Sequence, residues 1–158
     1  GGGTGPAPIT TAVSTLPATA SVRAGDTQTF SVSVTGSTNT AVTWSVNGIA
    51  GGNATVGTIS AVGAYVAPNA LPNPNTVTVQ ATSQANSGVQ GSSSVTLLNP
   101  IPVVGAVTPN TVGVGAFTLV VTGSKFISGA KVSFGGTALP TVFNNAATLS
   151  ASGTASAS

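Results

Sequence analysis

The chain has no cysteine, no histidine, no methionine and no glutamate, and its single acidic residue is Asp26. Each absence removes a class of chemistry. Without Cys there is neither a disulfide framework nor a thiolate metal site. Zinc wants His or Cys and calcium wants several carboxylates, so one Asp builds neither site. No metal and no other cofactor is expected. General acid–base work needs His, Glu, Asp, Lys, Tyr or Cys with a shifted pKa, and the inventory is Asp26, Lys125, Lys131 and Tyr65. A Ser-His-Asp triad lacks its His. A glycosidase pair lacks a second carboxylate. No GxSxG, Walker A or strand-following GxGxxG motif is present. No catalytic residue is expected, and the chain reads as a non-enzyme.

Charge is almost as scarce. Arg23, Lys125 and Lys131 stand against Asp26, a formal net charge of +2, and charged residues make up 3% of the 158, against roughly 25% in ordinary soluble domains. Hydration must come from hydroxyls and amides; Ser and Thr together supply 44 residues. Such a surface has little self-repulsion, which eases self-association. Three scattered cations are not a phosphate-binding cluster, so no nucleic-acid partner is expected. No run of 18 apolar residues exists, which excludes a transmembrane helix. The first residue is Gly rather than Met, as in a processed chain or an excerpt. Residues 1–9 open as GGGTGPAP, a flexible Gly/Pro leader. Leaders of this kind follow the lipidated Cys of bacterial lipoproteins and also serve as plain linkers.

What is abundant is β-strand patterning. At 41% hydrophobic residues the chain can bury a core. Thr29 to Thr35 reads TFSVSVT, with Phe30, Val32 and Val34 on one face. Val42 to Val46 reads VTWSV, with Val42, Trp44 and Val46 on one face. Thr76 to Ala81 reads TVTVQA. Period two is the signature of a strand with one wet face. Gly, Asn, Pro and Ser clusters separate the runs at Gly36–Thr40, Gly48–Asn53 and Pro68–Asn75. Helical periodicity is missing. The expected fold is all-β, an antiparallel sandwich. At Asn99–Pro102 two prolines within three residues stop a strand and stiffen a linker. Beyond it, strands are expected at Val103–Val107, Phe117–Thr122, Ala130–Phe134, Leu139–Phe143 and Ala147–Ala151.

The first half, residues 10–98, resembles bacterial Ig-like (Big-type) domains of surface and secreted proteins. ATASVRAGDTQTFSVSVTG (Ala18–Gly36), AVTWSVNG (Ala41–Gly48), GTISAVGAYVAP (Gly57–Pro68) and TVTVQATS (Thr76–Ser83) carry the likeness. It implies that Trp44 lies between the sheets and that Tyr65 lies near a sandwich edge. Residues 103–158 look like an IPT/TIG domain, another immunoglobulin-like sandwich. VGAVTPNTVGVGAFTLVVTGSKFISGAKVSFGG (Val104–Gly136) and ATLSASGT (Ala147–Thr154) match, with TGSKF and VSFGG the most telling pieces. That family continues with two further strands where this sequence reads GTASAS, so the second sandwich looks incomplete, lacking its last strands. The resemblance thus implies two tandem immunoglobulin-like antiparallel β-sandwiches joined by the 99–102 linker. An incomplete sandwich exposes an apolar groove and backbone donors and acceptors that something must cover. The covering strands lie either further along the same polypeptide or on a neighbouring molecule, as in strand complementation.

Smaller features point to structure rather than chemistry. Asp26, in AGDTQ, is expected to make a turn through its side chain, near enough to Arg23 to pair with it. Ser92–Ser94 reads as a solvated strand face. Asn53-Ala54-Thr55 is a glycosylation sequon best explained by chance. A Lys–Asn isopeptide cross-link is not expected: Lys125, Lys131, Asn144 and Asn145 have no acid in their half, and Asp26 has no Lys in its own. The seven aromatics mostly alternate with polar residues and should face a core. Tyr65 is the candidate exposed ring, and so the one candidate contact for a polysaccharide ligand.

The function expected is that of a non-catalytic structural protein of the bacterial cell surface: an extracellular filament, stalk or adhesin segment whose partners are itself or neighbouring subunits. The alternative is a carbohydrate-binding accessory module of a secreted enzyme.

Overall fold

Alternating apolar and hydroxyl residues, punctuated by Gly and Pro, leave the backbone one economical way to satisfy its hydrogen bonds, which is to pair as sheets. In the computed structural model, which describes residues 2–3 and 5–157, the chain is all-β, and its sheets are antiparallel but for one pair of strands, as in a β-sandwich. Gly1 and Thr4 of the leader, and Ser158, lie outside the described residues. The chain divides into two compact units, Gly1–Asn99 and Pro100–Ser158.

The first unit holds eleven strands: β1 (Ala12–Leu16), β2 (Thr19–Arg23), β3 (Thr27–Thr29), β4 (Ser31–Thr35), β5 (Val42–Val46), β6 (Ile49–Ala50), β7 (Gly52–Asn53), β8 (Gly57–Ile59), β9 (Ala64–Val66), β10 (Thr76–Ser83) and β11 (Gln90–Leu98). One sheet runs β2-β11-β10-β5-β6, a second β3-β9-β8-β7, and β1 pairs with β4. Two runs change sheets midway. Pro17 separates β1, antiparallel to β4, from β2, which lies parallel to β11. The expected strand Thr29–Thr35 breaks at Phe30. Its amide donates to the Gly63 carbonyl at 2.8 Å, leaving β3 on β9 and β4 on β1.

Between the layers lie Phe30, Trp44, Val46, Tyr65, Val79, Val95 and Leu97. Trp44 is 5% exposed, in the core as expected. Each fully buried Val or Leu contributes about 1.5–3 kcal/mol of hydrophobic stabilisation. Where β1 crosses β11 the layers close tightly. A Cβ on Gly91 would sit 2.8 Å from the Val13 carbonyl oxygen, so no larger residue fits there. Beside it the Ser93 and Thr15 hydroxyls share a buried hydrogen bond of 2.7 Å. The serine run therefore departs from the sequence reading: Ser92 and Ser94 face solvent, whereas Ser93 points inward and is buried.

The second unit is one four-stranded sheet under a thin cover. Its strands are β12 (Val103–Thr108), β13 (Gly115–Ser124), β14 (Ser133–Phe134), β15 (Thr137–Ala138), β16 (Thr141–Asn145) and β17 (Thr148–Ala155). The sheet order is β12-β13-β17-β16, antiparallel throughout, and β14 and β15 form a separate hairpin. The inner face carries Phe117, Leu119 and Val121 from β13, with Leu149 and Ala151 from β17. Phe126, Ala130 and Val132 cover Val121 and Leu149. Phe134 of the hairpin meets Phe117, ring centroids 5.1 Å apart. The expected strand Ala130–Phe134 is reduced to Ser133–Phe134. Ahead of it, Ala130 and Val132 turn inward to pack, and the Val132 amide bonds the Thr141 hydroxyl (3.0 Å) instead of a neighbouring strand.

Candidate functional site

The side chain expected to offer a ligand contact is not on the surface. Tyr65 is 0% exposed, and its hydroxyl donates to the Val56 carbonyl at 2.7 Å. The reason is local. Gly57, lacking a side chain, leaves the space that the Tyr65 ring occupies: a Cβ there would lie 2.6 Å from Cε2 of the ring. Burial pushes the phenol up to about 12 from an ordinary value of 10.0, because the phenolate would lose its water. A ring held this way is out of reach of a sugar. The exposed aromatics are Phe134 and Phe143, both in the second unit. Phe143 sits in a TVFNN strand whose apolar side chains, Val142 and Phe143, fall on opposite faces, a pattern that could have marked it as a residue without a full cover.

The other polar candidates serve the fold. Arg23 directs Nη1 to the Asn99 carbonyl at 2.7 Å. The turn at Asp26 is closed by its backbone amide donating to the Arg23 carbonyl (2.9 Å), so the expected side-chain turn is a main-chain one. Asn53, in the sequon, accepts hydrogen bonds from the Thr55 and Val56 amides at 2.9 and 3.1 Å, which makes it a turn residue. Among the described residues no three His, Cys, Asp or Glu side chains gather as a metal site would need. Among the same residues no helix is long and apolar enough to cross a membrane. An open hollow of about 640 Å³ beside the hairpin is lined by Phe117, Thr137, Leu139, Pro140 and Gly153 among others. It offers hydroxyls and apolar surface but no ionisable group, so it has nothing to move a proton with.

The feature that stands out is the pair of lateral strands of the second sheet. Among the described residues β12 pairs with β13 alone and β16 with β17 alone. All six residues of β12 are exposed, including Val103, Val104 and Val107, and β16 exposes Val142 and Phe143. Natural edge strands are commonly blunted by lysine, proline, inward charges or shortness. In the first unit the two larger sheets follow that practice, ending on β3, β6 and β7, of two or three residues, or on β2, which carries Arg23, whereas β1 and β4 form a separate uncharged pair of five residues each. Neither β12 nor β16 contains a charged residue or a proline. Each does carry a bulge, at Val104/Ala106 and at Phe143/Asn145, but Ala106–Thr108 and Thr141–Phe143 are regular.

Compared with family models and with curated proteins, the chain matches none.

Proposed function

We propose that this chain is a non-catalytic structural protein of the bacterial cell surface, a segment or subunit of an extracellular filament, stalk or adhesin that assembles through exposed sheet edges. The observation that carries the reading is the second unit's sheet, flanked by two uncharged strands that expose Val and Phe. The nearly uncharged, hydroxyl-rich composition supports it, because little electrostatic repulsion opposes contact between copies. Two immunoglobulin-like sandwiches are part of the same proposal. In the first unit, the division of β1 and β2 between the layers and the buried Trp44 support that likeness. In the second, TGSKF ends β13 and delivers Phe126 to the core, and VSFGG makes the β14–β15 turn, with Gly135 and Gly136 at φ of 56° and 83°. Strand complementation is the mode of assembly proposed. The carbohydrate-binding alternative loses its candidate contact with the burial of Tyr65, and no other observation favours it.

Brief protease treatment of intact source cells tests the location. Peptides of this chain should appear in the released fraction while cytoplasmic markers stay inside. Recovery of the chain only after lysis, with no part exposed on whole cells, overturns the reading.

A further inference from the structure

We propose that the second unit joins to further copies of this chain edge to edge, β16 of one copy pairing antiparallel with β12 of the next, so that successive four-stranded sheets fuse into one. This rests on the self-assembling reading above and names its contact.

Three properties of the sheet carry it. The first is polarity. Four antiparallel strands are an even number, so β12 and β16 run in opposite directions within one copy. Two copies in the same orientation then meet with antiparallel edges, and the contact repeats without inverting a subunit. The second is the pleat. Along antiparallel strands, hydrogen-bonded and non-hydrogen-bonded pairs alternate. Across an even number of strands, a residue of β16 and the residue of β12 in the same cross-strand row present the same kind of outer edge, so they can face each other directly.

The third is the side chains. One row crosses the whole sheet: Val107 opposite Val121, Val121 opposite Leu149, Leu149 opposite Phe143. Its middle members are buried, Val121 at 4% and Leu149 at 3%. Its ends are open, Val107 and Phe143 each at 37%. Edge-to-edge contact in this register sets Phe143 of one copy against Val107 of the next and continues the apolar row across the junction. Val107 lies in the regular stretch Ala106–Thr108, and Phe143 is the last regular residue before the bulge of β16, so the undistorted part of the contact is Phe143 with Val107 and Val142 with Thr108. On the other face Val142, opposite Ser150, comes beside Thr108, opposite Val120. No charge lies on either strand, so the junction brings no like charges together; Lys125 and Lys131 sit on the covering segment. The contact is heterologous, and sheet twist turns each added copy in the same sense, so it propagates instead of closing on itself after one step.

The test uses the full-length chain, with sedimentation velocity across a concentration series as readout. The parent chain should form species larger than dimers as concentration rises. Val107→Lys and Phe143→Lys should each remain monomeric while keeping the parent's far-ultraviolet dichroism and melting profile, since both side chains are exposed. Mixing the two variants should give a discrete dimer and nothing larger. Each variant keeps one intact edge, Phe143 of the first meeting Val107 of the second. Thr108→Lys, an exposed position on the opposite face of β12, provides a second block in case Val107→Lys fails to fold. A parent that stays monomeric throughout overturns the edge pairing but leaves the surface location to the protease experiment. Assembly that persists in Phe143→Lys but not in Val107→Lys would indicate β12 pairing with itself, and overturns the heterologous contact. Assembly unchanged in every variant places the interface elsewhere and also overturns it.

Discussion

At the residue scale the sandwich of the first unit depends on a few side chains whose roles are now specific. Trp44 is the only tryptophan and is buried in the core, so Trp44→Ala should cost about 3–5 kcal/mol. Chemical denaturation followed by dichroism checks this; a midpoint equal to the parent's would place the indole outside the core. Ser93 and Thr15 form a buried hydroxyl pair. Ser93→Ala should destabilise by about 1–3 kcal/mol, because it leaves the Thr15 hydroxyl buried without its partner. Thr15→Val combined with Ser93→Ala should cost less than the sum of the single changes in a double-mutant cycle. Tyr65 gives a pH signature. Its folded pKa, about 12, lies above its unfolded value of 10.0. The unfolded chain therefore releases its proton first, and stability falls as pH rises from about 10 to 12 and then levels. Since Tyr65 is the only tyrosine, phenolate absorbance reports on it alone. The midpoint should lie near 12 in the native chain and near 10 in denaturant; coincident midpoints would contradict the burial.

At the scale of elements, what was legible in the sequence was the set of strands whose periodicity is paired with a full cover. Val42–Val46 was readable to the residue, because alternation, the lone Trp and flanking turn residues agree there. Less legible were places where one run serves two sheets. Nothing in TFSVSVT says that the chain changes partners at Phe30; the Gly63 carbonyl that captures its amide is 33 residues away in sequence. Tyr65 was misplaced for a similar reason: the space for its ring comes from Gly57, and a missing side chain opposite leaves no periodic signal. Ser93 alternates in phase with Val95 and Leu97, so the phase of the strand, more than the polarity of the serine, decided its face. In the second unit, Gly153 lies opposite Phe117 in the sheet, and a Cβ there would come within 2.7 Å of Phe117 Cζ. Gly153→Val should displace that ring and, with it, the hairpin contact through Phe134. The measurable result is a lowered melting temperature of the second unit with the first unchanged.

For the whole molecule, the two units are unequal in what they bury. The first has a core running from Val22 to Leu97, whereas the second packs Val121, Phe126 and Leu149 under a short hairpin. Calorimetry of the intact chain should resolve two transitions, the lower belonging to the second unit. Because assembly binds the folded second unit only, that lower transition should rise with protein concentration while the upper stays fixed. The unequal cores, the uncharged lateral strands and the matched polarity of β12 and β16 all support the edge-to-edge contact proposed above. The most direct measurement is electron microscopy of the native material, carried to a helical reconstruction where filaments form. Four strands per copy at about 4.8 Å spacing give a rise of about 19 Å per subunit along a continuous sheet, with a rotation of roughly 80–100° from strand twist. Filaments with that rise and with β16 seated against β12 of the next copy are the expected result. Native material that is monomeric, or filaments whose sheets end at each subunit boundary, would contradict the account.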